Sequence, residues 1–286
     1  MTDTLTPPPA PPTAAQGPGP RREPSAAGRV VAVLAIVFGA VLVVGAVLSA
    51  TIGTISSALV RTETRTLPAT AFSDLDVDLA AGELTVVFVD GLRAPELTVT
   101  SSGGAGEWTF SAEDDTLTVA SPDHRWFPRW WFGGIGSATL RLPASAQTGG
   151  LDADLHAAAG ELEVSGRFAD LDVDLGAGRV TVSGGADELS LDVSAGSVEL
   201  DLGEVRTADI TVSAGAARTH FTGTAPRSIT ADVSAGSLDM TVPDGAYDIR
   251  SDVSAGRFDS RIASQPGAAS TVSVQVSAGS ATLTAR

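Results

Sequence analysis

Nine aspartates in this chain keep a fixed distance from a recurring glycine. Asp78, Asp174, Asp192, Asp232 and Asp252 stand four residues before one, and Asp76, Asp154, Asp172 and Asp209 stand six before one. Stacked as β-strands, successive segments would align these side chains into columns about 5 Å apart. Like charges at that spacing repel, and a divalent cation between them would relieve the repulsion. Two carboxylates also suffice for glycoside hydrolysis, and Asp172, Asp174, Asp192 and Glu199 are expected within reach of one another on neighbouring strands. Yet similar residues recur on most segments, so no one of them is set apart as a catalytic cluster. Serine and threonine interrupt the columns, and the chain has no EF-hand loop and no glycine-rich calcium-binding nonapeptide. The expectation is a solvated sheet face with no catalytic residue, no metal ligand and no cofactor.

A second group of residues with chemical potential interrupts this pattern. His124, Arg125, Trp126, Phe127, Pro128, Arg129, Trp130, Trp131 and Phe132 run into Gly133 and Gly134, and three of the four tryptophans fall here. Proline and the glycine pair make the segment a loop. Indole rings beside arginine suit the membrane–water interface. Aromatic faces also stack on sugar rings, which suits a cell-wall polysaccharide or another envelope partner. A third reading is structural, with the rings covering one end of a stacked sheet. The three histidines, His124, His156 and His220, are far apart and share no ligand spacing. No nucleophile elbow, phosphate loop or zinc motif is present.

The elements that must position these groups follow from the glycines. Gly82, Gly160, Gly178, Gly196, Gly215, Gly236, Gly256 and Gly279 each follow an alanine, and the last seven recur every 18 to 23 residues. Apolar residues stand three before each glycine, as at Leu175, Val193 and Val233, and two and four after it, as at Val198 and Leu200. Polar residues fall between. That is the period-two alternation of strands of about five residues with one face buried. The corner needs positive φ or close backbone approach, and glycine supplies both. Each unit reads as strand, corner, strand, connector. Repeats of this length predict an all-β, repetitive parallel β-solenoid, of about eight coils stacked roughly 4.8 Å apart. An antiparallel sandwich of hairpins is the competing arrangement.

The segment LRLPASAQTGGLDADLHAAAGELEVSG, with the later DVSAGSVEL, DVSAGSLDM and DVSAGRFDS, resembles the bacterial putative-adhesin family of β-strand-repeat domains. The resemblance covers about residues 67–286. It implies a β-repeat domain, often behind an N-terminal membrane anchor, and brings no catalytic residues with it.

Three segments precede the repeats. Residues 1–28 are proline-rich and poor in large apolar groups, so a disordered tail is expected. Residues 29–52 are expected to form one transmembrane helix, all but Arg29 lying in an uncharged stretch from Val30 to Val60. Arg21, Arg22 and Arg29 precede it, which predicts a cytoplasmic N-terminus and an extracytoplasmic C-terminal domain. A cleaved signal peptide is disfavoured by the 29 preceding residues and by the absence of an Ala-x-Ala site. Residues 53–66 are expected as a stalk and 67–286 as the repeat domain.

Charge and composition limit the partners. Taking Arg21, Arg22, Arg29, Asp3 and Glu23 from the totals of 18 basic and 34 acidic residues leaves 15 against 32, or −17, outside the membrane. Nucleic acid is excluded as a partner on that charge. There is no cysteine, hence no disulfide and no thiolate chemistry. The expected function is that of a non-enzymatic, single-pass cell-envelope protein for surface binding, adhesion or spacing. The alternative is an envelope-stress sensor or regulatory membrane subunit that acts through a protein partner.

Overall fold

In a computed structural model, residues 61–101, 108–122 and 136–286 are described. The expected tail, the membrane helix, residues 53–60 of the stalk and the aromatic segment 124–134 lie outside them. Among the described residues no helix is long and apolar enough to cross a membrane. Among the described residues the fold is all-β: nineteen strands belong to one hydrogen-bonded sheet, and a 3-10 turn at Ala144–Gly149 is the helical element.

Alternation decides which side of each strand is buried, and the pairing then sorts the strands into two ladders. The strand that precedes each glycine joins the first ladder. There β2 (Asp74–Leu79), β8 (Asp152–Ala157) and the second halves of β9 (Glu161–Leu175) and β10 (Arg179–Val193) run parallel to one another. The ladder continues through β12 (Thr207–Val212), β14 (Ser228–Val233) and β18 (Ser270–Val276) to β16 (Tyr247–Val253). The strand that follows the glycine joins the second ladder. Its parallel run is β3 (Glu83–Val89), the first halves of β9 and β10, β11 (Ser197–Gly203), β13 (Ala216–Thr222), β15 (Ser237–Val242), β19 (Ser280–Ala285) and β17 (Arg257–Ser260).

Both ladders send their inward residues into one continuous core, including Leu79, Leu175 and Val193 from the first and Leu162, Val180 and Leu200 from the second. At one inward position a polar side chain is buried without a partner. Thr219 on β13 is fully buried and its hydroxyl has no hydrogen-bond partner, an arrangement that costs about 1–3 kcal/mol.

The corner glycines stack in a column. A Cβ on Gly178 would lie closer than 3.0 Å to the carbonyl oxygen of Gly160, and the same clash recurs from Gly160 onto Gly82 and from Gly196 onto Gly178. That carbonyl also accepts a hydrogen bond from Arg179 N–H at 2.8 Å, so it cannot retreat. At Gly178 the φ of +112° adds a second reason for glycine.

Three expectations need correction. Strands of about five residues were expected throughout, but β9 and β10 each run for 15 residues from one ladder into the other. Their 18-residue repeat leaves no room for a loop at the second corner, and Gly166 and Gly184 make the bend within the strand. Residues 61–66, expected in the stalk, form β1 (Arg61–Thr66), which pairs antiparallel with β4 (Glu96–Ser101). Thr62 and Thr64 hydrogen-bond to Thr100 and Thr98 across that pair. The repeats also do not stack in chain order. β6 (Thr116–Ala120) and β7 (Ser137–Pro143) pair with one side of β2 and β3, while β8 and β9 take the other.

At the far end the final segment, β18–β19, lies between β14–β15 and β16–β17. The physical reason is polarity. Val272, Val274, Val276 and Leu283 are apolar and buried, as an interior rung requires. At corresponding inward positions β16 and β17 carry Ser251 and Ser260, which are tolerated best on an outermost rung.

The two ends differ. At one, antiparallel pairs replace parallel stacking: β4 pairs with β7 and β1, and β5 (Thr109–Glu113) pairs with β6. Trp108 and Phe110 are buried there, and an Arg65 guanidinium N–H donates to the Trp108 carbonyl at 2.9 Å. At the other end, β16 and β17 are left as outermost parallel strands.

Candidate functional site

The outer face of the first ladder gathers the aspartates into a lattice. One column runs Asp76, Asp154, Asp172, Ser190, Asp209. Beside it runs Asp78, His156, Asp174, Asp192, and on the other flank Asp170 faces Glu188. The columns line a shallow groove of about 510 Å³ whose walls include Asp152, Asp154, Asp170, Asp172, Glu188 and Asp209. Asp170 N–H donates to Asp152 Oδ1 at 3.1 Å, which knits two rungs together at the rim. Among the described residues no group of three or more histidine, aspartate or glutamate side chains is placed to hold a metal ion.

Crowding within the lattice perturbs its protonation. Partial burial, then the charges of Asp154 and Asp78, raises the Asp76 carboxyl above its ordinary value. Partial burial also raises Asp172, helped by Asp154, Asp174 and Asp192 and opposed by a hydrogen bond from Ser190. With both folded-state values above the ordinary 3.8, the folded chain holds more protons than the unfolded chain between 3.8 and the raised values. The stability from these groups is fully present below that window and is lost as pH rises through it. Thermal melts are therefore expected to show a more stable chain at mildly acidic than at neutral pH. Asp154→Asn, which removes the neighbour common to both groups, should raise the neutral-pH melting temperature and flatten this slope. A melting temperature insensitive to Asp154→Asn would sink the account.

The carboxylate group considered for hydrolysis does not assemble. Asp172 and Asp174 lie on β9 and Asp192 on β10, in the first ladder, but Glu199 is on β11 of the second. Glu199 therefore points outward from the opposite sheet face, because a strand and its successor across the corner belong to different ladders. His156 and His220 do face outward as expected. Each pairs with a neighbouring rung, His156 Nδ1 with Asp174 at 3.4 Å and His220 Nδ1 with Asp201 at 3.2 Å.

A cluster that sequence reasoning missed lies at the second corner. Arg167 Nη2 approaches Asp187 Oδ1 at 3.4 Å, and Arg206 binds the other oxygen of the same carboxylate. Arg227 stacks on Arg206 through a backbone bond of 2.8 Å, completing one wall of a depression of about 360 Å³. The signal was available: Asp187, Arg206 and Arg227 each immediately precede the first outward residue of a first-ladder strand. Arg125, Trp126, Phe127, Arg129, Trp130, Trp131 and Phe132 lie outside the described residues, between β6 and β7.

No family model matches the chain, and no curated protein does. Its fold is similar to that of a putative adhesin from Bacteroides fragilis, with a TM-score of 0.51 at 14% identity over 79% of this chain and 97% of that one. A putative lipid binding protein from Parabacteroides distasonis aligns over 78% of this chain and 96% of its own, with a TM-score of 0.46 at 14% identity. A putative adhesin from the same organism aligns over 79% and 97%, with a TM-score of 0.43 at 12% identity. At these identities the likeness to the Bacteroides protein establishes a shared fold.

Proposed function

We propose that this chain is a non-enzymatic, membrane-anchored cell-envelope protein whose β-domain, a parallel β-solenoid, binds at the cell surface. The observation that carries this reading is the pair of parallel ladders around one core, with functional groups repeated rung after rung along their outer faces. Such a scaffold presents an extended surface without a single catalytic focus. The fold shared with the Bacteroides putative adhesin supports the same reading. The uncharged stretch Val30–Val60, after Arg21, Arg22 and Arg29, supports an anchor with the β-domain outside.

The contact is assigned to the loop that carries Arg125, Trp126, Phe127, Arg129, Trp130, Trp131 and Phe132, with cell-wall polysaccharide as its partner. The aspartate lattice is poorly suited to that role, because it repels the anionic polymers and headgroups of a bacterial surface. The aromatic segment carries two arginines and three indoles within seven positions, on a chain that is otherwise acidic.

Co-sedimentation of the full chain with purified wall material, and separately with liposomes, tests the assignment. A Trp126/Trp130/Trp131→Ala variant with unchanged circular dichroism is run beside it. Wall binding weakened at least about tenfold in the variant is the expected result. A folded chain with no wall binding would overturn the surface-binding reading, and liposome binding that weakens in the variant, beyond what Val30–Val60 supplies to both chains, would move the aromatic segment to the membrane.

A further inference from the structure

The β16–β17 end has the properties of an interface that still lacks its second half. β16 pairs with β18 on one side only. On its other side the connector after β17 covers just its first half: Gln265 N–H donates to Tyr247 O at 2.8 Å, and Ile249 N–H donates to Ser264 Oγ at 2.9 Å. Among the described residues the edge past that point, at Ser251 and Val253, meets no strand, and β17 pairs only with β19. Val253, at 39%, is the one exposed large apolar side chain among the described residues, and Ile249 and Phe258 beside it are only partly covered.

Charge separates this end from the rest of the chain. On β16, Arg250 stands between Asp248 and Asp252, while along β17 and just past it run Arg257, Asp259 and Arg261. Three arginines and three aspartates make the end neutral on a chain of net charge −16. Nowhere else on the outer face of the first ladder does an arginine appear among the described strands.

We infer that this end is a two-fold self-association surface, on which β16 of one copy pairs antiparallel with β17 of a second. The opposite end is an unsuitable mate. β1 lies there in antiparallel pairing, with Glu63 opposite Val99 and Arg65 opposite Leu97, so charged side chains take the places of inward residues on that edge. Head-to-tail stacking into a filament is thereby blocked, and a second open end is the matching surface. A two-fold axis makes edge strands meet antiparallel. Pairing β16 with a second β16 would set Val253 against Ile249, whose edge Ser264 already occupies. Pairing β16 with β17 avoids that conflict.

The charges then select the register. With Ser251 opposite Phe258 of the second copy, Arg250 faces Asp259 of the second copy and Asp252 faces Arg257 of the second copy, and the axis repeats both pairs. A slip of two residues would instead oppose aspartate to aspartate and arginine to arginine, which is unfavourable directly across strands.

The absence of cysteine gives a clean test. In the full chain, Arg250→Cys with Asp259→Cys places two thiols across the inferred pair, within disulfide reach. Within one chain these positions sit on opposite outer faces and cannot join. Oxidation is expected to give a covalent dimer whose linked peptides contain positions 250 and 259, whereas Arg250→Cys with Arg261→Cys stays largely monomeric. Light scattering on the unmodified chain should give twice the protomer mass, reduced to one by Val253→Arg with unchanged circular dichroism, while the melting temperature loses its dependence on chain concentration. A monomeric mass for the unmodified chain overturns the inference. So does a dimer that survives Val253→Arg, because that would place the association elsewhere, for example in residues 30–60.

Discussion

Gly178→Ala is expected to lower the melting temperature by on the order of 10 °C. Two costs combine at this site. The φ of +112° is strained for any residue with a Cβ, at about 1–3 kcal/mol. The added methyl also meets the Gly160 carbonyl, which is held in place by the Arg179 N–H. Relief would require the two rungs to separate, which strains the inter-rung bonds on both sides of the corner. A total of about 3 kcal/mol or more corresponds to this shift for a domain of this size. Two controls divide the effect. Gly267→Ala meets nothing within 4 Å but has a φ of +83°, so it should show the backbone cost alone. Gly149→Ala meets nothing and has no such φ, so it should be near neutral. Equal melting temperatures for all three variants would refute the stacked-corner account.

Deleting Ser270–Arg286 is expected to do more damage than the loss of an end segment. β18 and β19 are interior rungs, with Val272, Val274, Val276 and Leu283 fully buried. Burial of four such side chains is worth of order 10 kcal/mol before chain entropy is subtracted, comparable to the whole stability of a typical domain. Their removal also takes away the strands to which β16 and β17 are bonded. Limited proteolysis should then cut within Tyr247–Ser260, and hydrogen exchange should accelerate on β14 and β15. The rescue available to the chain is for β16–β17 to restack directly on β14–β15. A truncated chain that melts within a few degrees of the full one would mean that this happens, and that the inverted order contributes no stability.

Much of this architecture was legible because it is written in local periodicity. Alternation identified Leu175, Val193 and Leu200 as inward and Asp172, Asp174 and Asp192 as outward, and each side chain is found so. The recurrent Ala-Gly pair marked the corners, and the close approach of Gly178 to Gly160 is why no other residue serves there. The candidate site was only half legible. The aspartate columns followed from the offsets, whereas Glu199 was wrongly grouped with them, because a spacing of seven residues from Asp192 says nothing of the corner that turns the chain to the other ladder. The arginines around Asp187 escaped notice because the connectors that hold them vary in length.

From the sequence alone came an all-β repetitive sheet, its inward and outward faces, its glycine corners and its acidic outer columns. These depend on residues within one repeat, where period-two alternation and the conformational demands of a tight corner leave few alternatives. Only the tertiary structure decided which rung neighbours which, that β1 joins the sheet, and which end is left open. Similar repeats present nearly the same edge to any partner, so local pattern cannot rank the possible orders. That ranking is made by connector reach and by the cost of burying Ser251 and Ser260 in an interior rung, both of which depend on the whole stack.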